Sequence, residues 1–170
     1  MILFAILYAW LIVQRLAELS LANRNTRCLL AMGAYEAGRE HYGLLVALHV
    51  LYFICLPLEF YLRGTQLSQA WPFFFCLFLL AQFGRIWVIR TLGSRWTTRI
   101  IVLPGAPLVR SGPYRWLNHP NYWVVSVELF AVPMMFGALW TALVLTMANA
   151  CILLFLRIPA ENRALGRSQN

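Results

Sequence analysis

The sequence predicts an all-α, polytopic membrane protein with about five transmembrane helices, the last two forming a hairpin. Three observations predict it. Hydrophobic residues make up 61% of the 170 positions and charged residues 12%, against roughly 45–50% and 25% in soluble domains. The apolar residues gather into long runs, most of them about 20 residues, enough for a helix to cross some 30 Å of hydrocarbon. The charges fall mainly between those runs, and they are lopsided: all fourteen basic residues are Arg and all six acidic residues are Glu, giving a net charge of +8. Arg flanking apolar helices is the ordinary positive-inside signal, so the basic balance argues for a membrane and not for nucleic acid.

The first predicted helix runs from Ile2 to Ala22. Within it Gln14, Arg15 and Glu18 share one face by their spacing, and Arg15 and Glu18 read first as a pair that satisfies itself near the cytoplasmic interface and second as a functional charge inside the membrane. The second runs from Tyr42 to Leu62 and the third from Trp71 to Thr91. The fourth begins near Asn121 and is interrupted by Pro133 and Gly137; its apolar core, Tyr122 to Met135, gives only about 21 Å as a helix. The fifth runs from Ala138 to Leu156. The chain reads as one domain, 1–170, with three N-terminal helices in 1–91 and a loop, helical hairpin and tail in 92–170. Cys28, Cys55, Cys76 and Cys151 lack CxxC spacing and read as filler, so no metal site or disulfide is expected. The first apolar run lacks a basic leader and continues into polar residues, unlike a cleavable signal.

Arginine placement predicts the topology. Arg24, Arg27 and Arg39 lie in the first loop, Arg90, Arg95, Arg99, Arg110 and Arg115 follow the third helix, and Arg157, Arg163 and Arg167 occupy the tail. The second loop has only Arg63 and the last connection has none. The N-terminus is therefore expected outside and the C-terminus in the cytoplasm.

Other membrane charges need partners. Glu128 lies seven residues beyond Asn121 and follows its face inward, with Arg85 as its expected partner, either as a structural bridge or as a substrate contact. Glu59 is expected near the outer interface, solvated. His41 and His49 are two turns apart and can share a face, without the Cys or Asp partners of a metal site. Phe130, Met134, Met135 and Trp123 read first as packing and second as a sideways route between helices.

The most informative stretch is SGPYRWLNHPNY, Ser111 to Tyr122. It gathers Tyr114, Arg115, Asn118, His119 and Tyr122 where a membrane helix begins. A helical hairpin brings Arg157, Glu161, Asn162 and Arg163 back to the same end. The loop from Gly93 to Val109 would roof a pocket there and offer backbone groups to a flat ring.

These residues resemble the isoprenylcysteine carboxyl methyltransferase family, most of all its short bacterial members. The family pattern is R-H-P-x-Y-x-G before one helix and E-E after the next. Here the first half reads Asn118-His119-Pro120-Asn121-Tyr122-Trp123-Val124 and the second Glu161-Asn162. His119, Pro120, Tyr122 and Glu161 match; Asn118, Val124 and Asn162 replace Arg, Gly and Glu. The tail Arg157-Ile158 with Glu161 fits too, and Gln14 to His49 is similar to the bacterial subgroup.

The resemblance implies an integral membrane O-methyltransferase using S-adenosyl-L-methionine, held in a cytoplasmic-side pocket. Cofactor contacts are expected from His119, Tyr122, Pro120, Tyr114, Leu103, Val102, Glu161 and Asn162. Arg157 and Glu161 are the expected catalytic residues: Arg157 orients the acceptor and Glu161 holds the cofactor's ammonium. No GxGxxG turn is present, so a soluble dinucleotide-type fold is not expected. The acceptor is expected to be a lipophilic carboxylate or acidic enol, isoprenylcysteine-like or alkylpyrone-like, met in a bacterial cytoplasmic membrane; the Arg-only bias suggests a GC-rich genome. Expected partners are such a lipophilic or lipidated substrate and membrane lipid. An NADPH-dependent membrane reductase of the sterol-reductase type and a non-catalytic membrane subunit are the alternatives.

Overall fold

A computed structural model describes residues 1–167; Ser168 to Asn170 lie outside the described residues. The chain folds as α1 (Ile2–Ala31), β1 (Tyr35–Ala37), α2 (Arg39–Leu62), α3 (Trp71–Leu92), β2 (Ile100–Val102), α4 (Pro120–Met135), α5 (Leu139–Ile152) and α6 (Ile158–Arg167). A π-helical stretch, Leu153–Arg157, joins α5 to α6 without a break in direction. Four helical stretches are long and apolar enough to cross a membrane: Ile2–Ala31, Arg39–Leu62, Trp71–Arg95 and Leu139–Gly166. The helix α4, of 16 residues, is shorter and packs between its neighbours α3 and α5. The protein is an integral membrane protein. Large apolar side chains such as Trp10, Val13, Leu80, Phe83 and Phe155 stay exposed on the bundle, as lipid-facing positions require.

The first helix runs nine residues beyond the expected end at Ala22. Its polar stretch does not break the helix, because Asn25 turns into the protein. The Asn25 amide donates to the carbonyls of Gly93 (3.2 Å) and Trp96 (2.8 Å), tying α1 to the loop after α3. Two short strands were not expected. β1 and β2 pair antiparallel, with Tyr35 opposite Val102 and Ala37 opposite Ile100. The Arg99 guanidinium bonds Glu36 (3.0 and 3.1 Å) and lies 4.7 Å over the Tyr42 ring. These contacts fasten the loop after α3 to the start of α2.

The hairpin of α4 and α5 turns at Gly137 (φ +69), where a side chain would strain the backbone. Glu59 is not solvated as expected. Its carboxylate accepts from Trp140 N (3.0 Å), Thr141 N (2.7 Å) and Thr141 Oγ1 (2.7 Å), satisfying orphan donors at the start of α5. The main apolar core lies at this end. Phe4 stacks on Phe60 (4.2 Å) and meets Phe136 edge-on (4.9 Å), above Leu7, Leu56, Phe78 and Val132.

A buried charge cluster ties α1, α3 and α4 together. Arg85 bonds both carboxylates: Nη1 to Glu18 Oε2 (3.0 Å), Nε to Glu128 Oε1 (3.0 Å), and Nη2 to Glu128 Oε2. Arg15 bonds Glu18 (2.8 Å), and Gln14 and Gln82 add one donor each, to Glu18 and Glu128. Two guanidinium groups face two carboxylates, so the cluster is neutral, which is what burial in hydrocarbon demands. The two expected pairs, Arg15–Glu18 and Arg85–Glu128, are halves of one structure.

Candidate active site

At the end of the bundle away from Gly137, the polar segment and the tail meet. His119 caps α4 and Tyr122 sits one turn on, where their rings stack at 5.3 Å. Pro120 occupies the first turn of α4, where its missing N–H costs nothing. The stretch around Leu153–Arg157 widens the helix by an extra residue per turn and rotates Arg157 and Glu161 toward α4.

Glu161 is the hub. The Tyr122 hydroxyl donates to its Oε2, and His119 Nδ1 lies 3.4 Å from the same oxygen. The other His119 nitrogen, Nε2, meets Asn162 Oδ1 at 3.1 Å. Arg157 Nε donates to the Tyr122 hydroxyl (3.2 Å) and its Nη2 to Thr98 O (2.7 Å), while Nη1 is buried with no partner among the described residues. His119 is held above its ordinary pKa, first by the hydrogen bond with Glu161, with burial opposing and the charge of Glu161 and the Asn162 oxygen adding support. Burial, then the negative Glu161, raises the Tyr114 phenol, which stays protonated at neutral pH.

This cluster forms one wall of a cavity of about 1250 Å³. That exceeds the roughly 300–1,000 Å³ of a pocket for one small ligand. Val102, Leu103, Tyr114, His119, Tyr122, Arg157, Glu161 and Asn162 all line it; Pro120 does not, and its part is to start α4. The loop from Gly93 to Val109 forms much of the roof, with Pro107, Leu108 and Val109 on its surface. The cavity then runs down between helices. Ile12, Leu16 and Leu19 of α1 face Val46, Val50 and Phe53 of α2 across it.

Phe130, Met134 and Met135 do not reach it; they pack on the apolar core, and Trp123 stays exposed on the outer surface. Packing, the first reading of the three core residues, is what the structure shows, and the apolar wall of the cavity comes from α1 and α2 instead of α4. His41 stays outside the cavity, 3.3 Å from Glu40, so the two histidines do not act together. Sequence reading missed Tyr42 and Asn149 as cavity residues. Asn149, an amide in the middle of an apolar helix, was itself the available signal.

Two of the three departures from the family pattern have local explanations. Val124 fills the space beside Gly84 of α3, where an added Cβ would stand 3.0 Å from its Cγ2; the small residue has moved to the facing helix. Asn162 offers His119 an amide oxygen where the pattern has a second carboxylate. Nothing in the structure explains Asn118, which is exposed at the cavity mouth.

Residues 74–167 match the Isoprenylcysteine carboxyl methyltransferase (ICMT) family. The chain belongs to that family. It is 40% identical over 163 residues to a Bacillus subtilis (strain 168) protein described as "Uncharacterized protein YpbQ", covering 96% of each chain. It is 26% identical over 166 residues to an "Uncharacterized protein" of Haemophilus influenzae, covering 97% of this chain and 96% of the other. No solved structure matches. The family is one of membrane methyltransferases, and its members take their methyl group from S-adenosylmethionine. The matched region contains α4, α5, the π-helical stretch, all of α6 and nearly all of α3, so it contains the whole Glu161 cluster.

Proposed function

We propose that the protein is an S-adenosylmethionine-dependent O-methyltransferase of a lipophilic carboxylate or acidic enol, isoprenylcysteine-like or alkylpyrone-like. The observation that carries this reading is Arg157 Nη1, a buried guanidinium N–H without a partner among the described residues, at the wall of a cavity large enough for two ligands. A buried donor left unpaired is costly, and an anionic acceptor oxygen would satisfy it.

The donor set suits the cofactor. The Glu161 carboxylate would pair with an ammonium group, and His119, carrying its raised proton affinity, with a carboxylate. Tyr114, Val102 and Leu103 would flank the adenine. When bound, the cofactor supplies an already activated methyl on sulfonium. The protein then needs no strong base. Arg157 holds the acceptor oxygen's charge in place, Tyr122 positions Arg157 and Glu161 together, and the loop roof excludes water. An acceptor with a long apolar tail fits the α1–α2 wall. We place this mouth on the cytoplasmic side of a bacterial membrane, where the soluble cofactor is.

The test is calorimetric titration of the purified protein in nanodiscs with S-adenosylmethionine. The wild type should give a saturable signal that His119→Ala and Glu161→Ala weaken at least about tenfold. Absence of any signal from the wild type would favour a non-catalytic subunit, and binding of NADPH instead would favour a reductase.

A further inference from the structure

The cavity has a second polar region, inside the membrane, with Ile12, Val50 and Phe53 of its apolar wall beyond it. Arg15 and His49 both line it. Arg15 Nη1 is engaged by Glu18 at 2.8 Å, but Nη2 stands 3.7 Å from Glu128, within ion-pair reach and beyond a hydrogen bond. Its side chain keeps 24% of its surface, whereas those of Arg85, Glu18 and Glu128 keep 3%, 6% and 7%. Arg15 is thus the member of the charge cluster turned toward the cavity, with N–H groups to give. His49 Nδ1 lies 2.7 Å from Leu45 O. A carbonyl only accepts, so Nδ1 carries the proton, and in the neutral ring Nε2 keeps a lone pair. No Nε2 partner is present among the described residues.

The depth of this pair follows from the helix rise. Tyr42 lies level with Arg157, because the Tyr42 hydroxyl meets Thr98 Oγ1 at 3.3 Å and Arg157 bonds Thr98 O at 2.7 Å. His49 comes seven residues later on α2, about 10 Å further into the membrane. Between the two polar regions the α1–α2 wall is apolar. The cavity therefore offers an anion-seeking guanidinium at its mouth, an apolar stretch of the α1–α2 wall, and then a donor and an acceptor that also line one small pocket of about 20 Å³ together. A hydroxyl is the simple group that both gives and accepts a hydrogen bond.

We propose that Arg15 and His49 form a second binding subsite that reads a hydroxyl on the apolar tail of the ligand, about 10 Å from its methylated oxygen. This rests on the reading of the cavity as the acceptor site, but its test does not need methyl transfer. The probes are stearic acid and 10-hydroxystearic acid, which share a carboxylate and a chain and differ by one mid-chain hydroxyl. Binding is read by displacement of a fluorescent fatty acid from the protein in nanodiscs.

The wild type should prefer the hydroxy acid by about tenfold. His49→Leu should abolish that preference and leave stearate affinity within about twofold, while His49→Gln, which keeps an acceptor oxygen, should retain part of it. Arg15 is left intact because its loss would unbalance the charge cluster. Equal affinity of the two acids for the wild type overturns the subsite, and so does a preference that survives His49→Leu. Failure of S-adenosylmethionine to bind would instead strike the methyltransferase reading and leave this comparison standing.

Discussion

At the scale of single residues, two charged groups carry sharp consequences. His119 is protonated more readily than an ordinary histidine because Glu161 faces it. A group whose folded pKa is raised adds stability that is fully present below the unfolded value, about 6.5, and is lost as pH rises through the folded value. The tie between α4 and the tail should therefore loosen on the alkaline side of that value. Histidine-detected NMR should show His119 titrating above about 6.5, and Glu161→Gln should lower its midpoint. A midpoint unmoved by Glu161→Gln would mean that the 3.4 Å contact does not govern the proton. Arg85 is the second case. Arg85→Met leaves Glu18 and Glu128 with Arg15 as the one positive charge of the cluster, and breaking a buried pair costs about 3–5 kcal/mol. Thermal unfolding in detergent should show that loss, and adding Glu128→Gln to Arg85→Met should recover part of it.

At the scale of elements, α3 and α4 pack closest, and Gly84 against Val124 sets their spacing. Gly84→Ala would gain about 1 kcal/mol in helix propensity. It also places a methyl 3.0 Å from a β-branched side chain, and overpacking costs about 1–3 kcal/mol. The expected result is a lower melting temperature for Gly84→Ala, restored by adding Val124→Ala; a rise for the single variant would show that the interface has slack. This pair also shows what the sequence can and cannot reveal. Apolar length located the helices, and α2 and α3 end within a few residues of expectation. The Arg85–Glu128 pair was legible because a charge in hydrocarbon demands a partner. The π-helical stretch between α5 and α6 was not, since nothing in LLFLR marks a π-helix. The strand at Ile100–Val102 was hidden because its partner lies 65 residues earlier, although the run of β-branched residues carried the signal. The Glu161 cluster was legible as a set. Its geometry was not, because it depends on the π-helical rotation and on how α4 meets the tail.

At the scale of the whole molecule, the two ends of the bundle are unlike. One end holds the aromatic core, the Gly137 turn and the Glu59 cap; the other holds the cavity mouth, the strand pair and most of the arginines. On the proposed function, a charged cofactor cannot enter from lipid, so the mouth is expected to open to the compartment that contains it. The same arginines that surround the mouth also bias its end of the chain to remain in the cytoplasm. Orientation and access are then one property. The prediction uses single cysteines in a chain whose four native cysteines are replaced by Ala. Gln66→Cys, in the exposed connection between α2 and α3, should react with a membrane-impermeant maleimide on intact cells. Ser111→Cys, exposed on the roofing loop's side, should react only after the membrane is opened. The reverse pattern would put the cavity mouth outside, away from the cytoplasmic cofactor, and the methyltransferase reading would fail with the topology even if every contact around Glu161 were correct.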